Sequence, residues 1–152
     1  YQEREYPVDA IQLGLTCPGT SFLARGFVGH AQQLNSIMKA ALEHVDKKRG
    51  FAFVEVISPC VTYNDTFARM GSKLMDVNSD SDYKISDRVA VISRTTAINA
   101  EGKIPTGIIF QQQAATFENL LGLSKDCAPA KQVIDIATHR ERYRRLMQSY
   151  IV

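Results

Sequence analysis

The clearest fold signal lies at residues 51–57, which read Phe-Ala-Phe-Val-Glu-Val-Ile. Such an almost continuous run of β-forming apolar residues is typical of a strand that is buried on both faces of a parallel sheet. Residues 21–27, Ser-Phe-Leu-Ala-Arg-Gly-Phe, form a second extended run, and the glycines at positions 26 and 29 mark its end. Both segments are therefore predicted to be strands.

A helix is predicted between these two strands. From His30 onward, apolar side chains recur at spacings of three and four residues, which marks one face of a helix. These positions are Leu34, Ile37, Met38, Ala41, Leu42 and Val45. Residues 47–50, Lys-Lys-Arg-Gly, then place cations at the negative helix end and a glycine that stops it. Strand, helix and strand predict an α/β fold: a parallel sheet with flanking helices.

Cys60 follows the second strand in the sequence Ser58-Pro59-Cys60. In open α/β sheets, the functional residues lie just beyond the carboxyl ends of the strands. Its position therefore makes Cys60 a candidate site residue. The other two cysteines are Cys17 and Cys127, and this odd, widely spaced set fits neither a disulfide framework nor a zinc site built from CxxC pairs.

Five further segments complete the pattern, and their periodicity differs. Apolar spacing predicts a helix at residues 7–15 and an amphipathic, arginine-rich helix at residues 130–150. The acidic, polar composition of residues 76–87 predicts a loop, and residues 104–110 are predicted to form a strand. Residues 88–99 are compatible with either a strand or a helix.

The composition is that of a globular protein, with 45% hydrophobic and 22% charged residues. A net charge of +2 is too small for the whole surface to attract nucleic acid or anionic lipid. No apolar run approaches the length that spans a bilayer, and the charged start does not resemble a signal peptide. We therefore expect a cytoplasmic protein, and the first residue, Tyr1, suggests a piece of something longer.

Three stretches match segments of a known family. Residues 50–64 contain Ser-Pro-Cys-Val-Thr-Tyr-Asn, which resembles SPCVTFN, and residues 22–27 resemble FVARGF at the same spacing before it. Residues 103–110, Lys-Ile-Pro-Thr-Gly-Ile-Ile-Phe, resemble RIPIGVFY more weakly. The family is that of the β subunits of 2-oxoacid:ferredoxin oxidoreductases, which bind thiamine diphosphate. The resemblance covers about residues 7–110 and corresponds to the C-terminal part of that subunit.

The resemblance implies a function for the complete protein. Such an enzyme cleaves a 2-oxoacid with coenzyme A to an acyl-CoA and CO₂, and passes the electrons to ferredoxin. Thiamine diphosphate with Mg²⁺ does the carbanion chemistry. The cysteine of the matched string is one of four ligands to a 4Fe–4S cluster, so Cys60 is the implied metal ligand. An α subunit and ferredoxin are the implied partners.

The sequence also departs from the family pattern. The other three cluster cysteines and a Gly-Asp-Gly motif for diphosphate and Mg²⁺ lie earlier in family members, and this chain contains neither. Cys17 and Cys127 do not occupy the family's ligand positions. The cofactors are therefore expected only with the missing N-terminal part, and the residues that contact thiamine diphosphate, and those that select the 2-oxoacid, stay unknown.

The resemblance also implies how the chain is divided. Residues 1–75 would be the C-terminal half of the thiamine-diphosphate-binding domain, and residues 76–152 the family's C-terminal extension with a helical tail. The two predicted strands would then lack neighbours that belong upstream of Tyr1. Because an unpaired sheet edge seeks another strand, we expect the isolated chain to be oligomeric or bound to the polypeptide with the missing half.

Two alternatives differ in what Cys60 does. In one, the chain is a non-catalytic α/β interaction module whose Cys60 is a buried structural residue. In the other, an enzyme uses the Cys60 thiol directly for redox or acyl-transfer chemistry. Iron content of the complete protein separates the family prediction from both alternatives, and thiol reactivity separates these two from each other.

Weaker candidates have simpler explanations. Residues 76–82 resemble the first half of a calcium loop, but Ser81 stands where that loop has glycine and Asp87 where it has glutamate, so a solvated loop is expected. His30, His44 and His139 have no nucleophile in a recognisable motif nearby and are expected at the surface or as helix caps. Residues 140–145 contain four arginines, which suit either a solvated helix face or an acidic partner.

Overall fold

The computed structural model describes residues 8–123 and 135–150. In chain order, the elements in these ranges are α1 (Ala10–Thr16), β1 (Thr20–Phe27), α2 (Ala31–Asp46), β2 (Phe51–Ile57), α3 (Phe67–Gly71), β3 (Leu74–Asp76), a 3₁₀ turn (Val77–Ser79), α4 (Arg88–Ala100), β4 (Ile104–Gln111), α5 (Phe117–Leu120) and α6 (Ile136–Ser149).

The four strands form a sheet in the order β2-β1-β4-β3. Strands β1 and β2 are parallel and α2 joins them, so the predicted βαβ unit and the α/β fold with flanking helices are confirmed. One feature differs from the prediction, because β4 runs antiparallel to β1 and the sheet is mixed. Residues 58–73, which include the five-residue α3, link β2 to β3, and β3 is parallel to β4 and therefore runs opposite to β2.

Strand β1 lies at the centre of the molecule. All eight of its residues are buried, and alternate side chains enter two cores. On one face, Phe22 and Ala24 pack with Ile37 and Ala41 of α2. On the other face, Leu23 joins a larger core formed by residues of α1, α4, β4 and the 3₁₀ turn, namely Ile11, Leu15, Val77, Val91, Ile98, Ile109 and Phe110.

The prediction that β2 is buried on both faces is wrong for this chain. Strand β2 is an edge strand, and Phe51 is 58% exposed. The helix stripe of α2 is divided in the same way, because Ile37 and Ala41 are buried whereas Leu42 is 67% and Val45 51% exposed. Apolar surface that the sequence pattern assigned to a core is thus left open beside β2.

The ambiguous segment 88–99 is a helix, α4, that Asp87 caps through its side chain. The side chain of Arg88 fixes the position of the start of α4. Its guanidinium donates to the carbonyls of Leu15 and Thr20 and lies 4.3 Å from the centre of the Phe110 ring. One side chain thereby ties the start of α4 to the end of α1 and the start of β1.

The chain divides into two compact units, Tyr1–Thr116 and Phe117–Val152. The first unit contains the whole sheet, so its strands lie on both sides of the predicted domain boundary after residue 75. That boundary concerns the domains of the family's subunit and stays a prediction. The second unit contains α5 and α6. Helix α6 confirms the predicted amphipathic helix over Ile136–Ser149. Residues 130–134 of that prediction lie outside the described residues. No helix in the described ranges has the length and apolar character needed to cross a membrane.

Candidate functional site

Cys60 lies where the two parallel strands end. Phe27 of β1 is in register with Ile57 of β2, and the Val28 N–H donates to the Ile57 carbonyl at 3.1 Å. The chain then leaves the sheet through Ser58 and Pro59. Both strands therefore direct their following loops to one edge, which is the location predicted for functional residues.

A turn holds Cys60 beyond this edge. The Asn64 N–H donates to the Cys60 carbonyl at 3.0 Å, which closes residues 60–64 into one turn. The far end of the loop is anchored to the sheet, because the Phe67 ring packs against Phe27 with their centres 4.8 Å apart. The loop is thus fixed at both ends, and its middle projects into solvent.

The thiol of Cys60 is exposed and free. The backbone N–H of Tyr63, followed by that of Thr62, lowers the pKa of the Cys60 thiol by hydrogen bonding to the sulfur, with a smaller contribution from the Thr62 side chain. A thiolate is the form that binds iron or attacks an electrophile. The site therefore favours the reactive form of the residue, unlike the buried cysteine of the structural alternative.

Cys60 has no partner cysteine nearby in the described part of the chain. Cys17 is exposed and precedes β1, whereas Cys60 follows β2, so the length of a strand, roughly 20 Å, separates them. Cys127 lies outside the described residues. No group of three or more potential metal ligands occurs within residues 8–123 and 135–150. The residues that the structure describes therefore contain no complete cluster site, and the role of Cys60 as a ligand stays a prediction.

The turn at Cys60 coincides with the start of a family match. Residues 60–126 match the family model for the C-terminal region of the pyruvate ferredoxin oxidoreductase beta subunit. The chain is also 34% identical over 107 residues to the 2-oxoglutarate synthase subunit KorB of Methanothermobacter thermautotrophicus, covering 70% of this chain and 35% of that one. The chain is related to the β subunits of 2-oxoacid:ferredoxin oxidoreductases. The predicted resemblance is confirmed.

Other relatives of this enzyme class agree. A 2-oxoacid:ferredoxin oxidoreductase subunit beta from Sulfolobus sp is 26% identical, with 84% of this chain and 45% of that one covered. The solved 2-oxoglutarate:ferredoxin oxidoreductase from Magnetococcus marinus, with 2-oxoglutarate, coenzyme A and succinyl-CoA bound, superposes at a TM-score of 0.66 and 27% identity. That match covers 86% of this chain and 45% of the solved chain. The chain thus spans less than half of the length of these relatives.

Arg25 lies in β1, near the edge of the sheet that is followed by Cys60. Its side chain joins β1, β2 and α1 in a network of ion pairs that the sequence did not predict. Its guanidinium donates to Glu55 of β2 at 2.8 Å and to Asp9, the N-cap of α1, also at 2.8 Å. The Arg25 side chain is 7% exposed, whereas the two carboxylates are about one-third exposed. An arginine in the middle of the apolar run 22–27 was the available signal, because a buried charge requires partners.

A buried serine–histidine pair lies near the opposite end of β1. Ser21 Oγ is 3.0 Å from His44 Nε2 and donates to the Phe51 carbonyl at 2.8 Å. Since the serine proton is used on Phe51, His44 Nε2 is the donor to Ser21. His44 is 1% exposed, so its expected surface position is wrong, and the pair is a buried structural hydrogen bond and not a nucleophile with its base.

The acidic loop that resembles a calcium motif forms hydrogen bonds with the backbone of β4. Asp76 accepts from the Asn78 N–H, and the Asn78 side chain bonds both the N–H and the carbonyl of Ile108, at 2.6 and 2.9 Å. Gly107 has φ +101°, and a Cβ there would meet the side-chain oxygens of Asn78 and Asp76. The polar residues of this loop therefore hold the irregular middle of β4 against the 3₁₀ turn.

Proposed function

We propose that this chain is the C-terminal part of the β subunit of a 2-oxoacid:ferredoxin oxidoreductase, and that Cys60 donates one thiolate to a 4Fe–4S cluster. One observation carries the proposal: a free, exposed cysteine, whose thiol pKa is lowered by hydrogen bonding from the backbone N–H groups of Tyr63 and Thr62, lies in the turn at the carboxyl edge of β1 and β2, where the family match begins. Cluster sulfurs commonly accept such hydrogen bonds, which help to set the cluster's potential.

The remaining ligands would come from elsewhere. Three cysteines of the N-terminal part of the same subunit would complete the cluster, and that part would also hold Mg²⁺ and the diphosphate of the cofactor. Bound thiamine diphosphate would supply the carbanion chemistry, and the cluster would carry electrons toward ferredoxin. What this chain would contribute is the position of one thiol and the backbone N–H groups that lower its pKa.

The complete enzyme, with its α subunit, would convert a 2-oxoacid and coenzyme A to an acyl-CoA and CO₂, with two electrons passing to ferredoxin. The relatives that act on 2-oxoglutarate make 2-oxoacids the substrate class to test first. A cytoplasmic location is part of the proposal, since ferredoxin-linked metabolism of coenzyme A esters requires a shared compartment.

The decisive experiment compares cysteine variants in the complete subunit, purified without oxygen. Cys60→Ser should lose cluster iron and sulfide, because a hydroxyl is a poor ligand for the vacant iron site. Cys17→Ser is the matched control and should keep a full cluster, since Cys17 lies at the other end of the sheet. A full complement of iron and sulfide in the Cys60 variant would remove Cys60 from the ligand set.

The isolated chain provides a second test. It should not bind thiamine diphosphate with Mg²⁺ saturably, because the Gly-Asp-Gly motif is absent from its sequence. Isothermal calorimetry measures this directly. Saturable binding at low micromolar cofactor would mean that the cofactor site lies within this chain.

A further inference from the structure

The loop after β1 is bonded to the base of the Cys60 loop. The His30 N–H donates to the Phe27 carbonyl at 2.9 Å, which closes a turn at the end of β1. From this turn, the Val28 N–H donates to the Ile57 carbonyl at 3.1 Å. Two residues separate Ile57 from Cys60. One end of the Cys60 loop is therefore held by main-chain hydrogen bonds.

The other end of this loop is held by an aromatic ring. Two residues also separate Asn64, which closes the Cys60 turn, from Phe67. The Asp65 side chain accepts from the Phe67 N–H at 3.2 Å, which restrains the link between them. The Phe67 ring packs against that of Phe27, which is 2% exposed. The position of the Cys60 turn thus depends on where the Phe67 ring lies.

Gly29 leaves open the space that the Phe67 ring needs. Its φ is not left-handed, so alanine at this position would suffer no backbone strain. A Cβ there would, however, lie 2.8 and 2.9 Å from Cε1 and Cζ of Phe67, and closer still to the Phe27 ring. Ordinary contact would require the rings to move by roughly half an ångström. The missing side chain at residue 29 therefore lets both rings pack against the turn after β1.

We propose that Gly29 and Phe67 are positioning residues for Cys60: the Phe67 ring, seated in the space that Gly29 leaves open, fixes the cysteine turn at the edge of the sheet. This inference rests on the proposed function, in which Cys60 ligates a cluster whose other ligands come from the N-terminal part of the subunit. The ligands of a metal site must be held within about half an ångström by the packing of their neighbours. A loop that is seated at both ends meets this requirement, whereas a free surface loop does not.

Hydrogen exchange in the whole 152-residue chain tests the positioning without a cluster. The Asn64 N–H reports the turn, because it donates to the Cys60 carbonyl. Gly29→Ala should raise the Asn64 exchange rate at least about threefold, since displacement of the phenylalanine rings loosens the turn. Gly71→Ala is the matched control and should leave that rate unchanged, because a Cβ there would meet the Phe27 ring at an ordinary 3.8 Å.

A second variant and an internal reference separate positioning from a general loss of stability. Phe67→Leu removes the ring but keeps an apolar side chain, and it should also raise the Asn64 exchange rate. The Gln112 N–H, which donates to the Ser21 carbonyl at the opposite end of β1, should keep its wild-type rate in every variant. Unchanged Asn64 exchange in both Gly29→Ala and Phe67→Leu would overturn the proposal. Equal acceleration at Asn64 and Gln112 would overturn it too, because the whole fold would then be loosened.

The complete subunit, purified without oxygen, shows whether this packing matters to the cluster. Gly29→Ala keeps every cysteine, so it should retain iron and sulfide. It should, however, change the EPR spectrum of the reduced cluster and lose iron to a chelator at least about threefold faster than the wild type. Gly71→Ala should match the wild type in both measurements, and a wild-type spectrum and rate in Gly29→Ala would overturn the proposal. Iron retained by Cys60→Ser would instead remove the proposed function, and the exchange rates would still decide whether Gly29 and Phe67 hold the turn.

Discussion

Strands β1 and β2 have similar lengths and a similar predominance of apolar residues, but very different surroundings. Both are seven- or eight-residue apolar runs, and they pair with each other in parallel. All of β1 is buried, because β2 and β4 flank it and helices cover both faces. No residue of β2 is fully buried, since it lies at the edge of the sheet. Strand propensity is therefore a property of the segment, whereas burial is a property of its neighbours.

The largest expected difference between the strands concerns two phenylalanines. Phe22→Ala in β1 should lower the free energy of unfolding by about 3–5 kcal/mol, because the ring is 0% exposed in the α2 core. Phe51→Ala in β2 should cost less than about 1 kcal/mol, because that ring is 58% exposed. Urea denaturation of both variants measures the difference. Similar losses would mean that β2 is covered in solution, for example by another copy.

The second prediction concerns β4, the neighbour that β1 has on its other side. Gly107→Ala should destabilise the fold by about 3 kcal/mol, because a left-handed φ and a collision with Asn78 act together. Gly102→Ala is the matched control, with φ +71° and open space around it, and should cost only about 1 kcal/mol. Thermal unfolding distinguishes the two. If both variants lose the same stability, the Asn78 clamp contributes nothing.

Arg25 bridges the two strands and gives the third prediction. Arg25→Ala should cost about 2–3 kcal/mol, because Asp9 and Glu55 lose their shared cation although both carboxylates retain some contact with water. Lys103→Ala, which removes an exposed pair with Glu101, should cost less than about 0.5 kcal/mol. Denaturant unfolding at neutral pH compares them, and an equally small effect of Arg25→Ala would show that the network is only a surface pair.

The fourth prediction is that the free energy of unfolding depends on pH through His44 of α2, which contacts Ser21 at the start of β1. Burial, and then the positive charge of Arg49, lower the pKa of His44 below its ordinary value of 6.5. The unfolded chain therefore takes up a proton more readily than the folded chain, so this contribution to stability is complete above pH 6.5 and is lost as the pH falls toward the folded pKa.

Unfolding free energies at pH 7.5 and pH 5.5 test this dependence. In the wild type the difference due to His44 should be on the order of 1 kcal/mol, and His44→Leu should remove it. His30→Gln, which changes an exposed histidine, serves as the control and should keep the difference. A His44→Leu variant with the same pH profile as the wild type would exclude His44 as the cause.

The smallest effect on stability is expected at the open edge of β2. Val56→Lys places a charge at a residue that is 41% exposed and should change the unfolding free energy by less than about 0.5 kcal/mol. It should, however, shift the sedimentation-equilibrium mass toward one chain, because a charged edge resists strand pairing. A wild-type chain that is monomeric over a wide concentration range, with a cooperative thermal transition, would contradict the predicted association.

Local pattern and family resemblance were sufficient for much of this protein. The run 51–57 defined β2 to the residue, because its signal is continuous and Gly50 and Pro59 bound it. The spacing of Leu34, Ile37 and Ala41 located α2 for the same reason. The family and the candidate ligand, Cys60, followed from a short string of side chains whose order is independent of any long-range contact.

Tertiary structure alone decided the features that depend on partners distant in sequence. The Ser21–His44 and Arg25–Asp9 contacts join residues 23 and 16 positions apart, and no local pattern encodes them. The antiparallel direction of β4 and the edge position of β2 depend on how the four strands pair, which no local pattern encodes. Helix and strand signals arise from neighbours along the chain, whereas burial, strand order and charge pairing arise only when distant segments pack together.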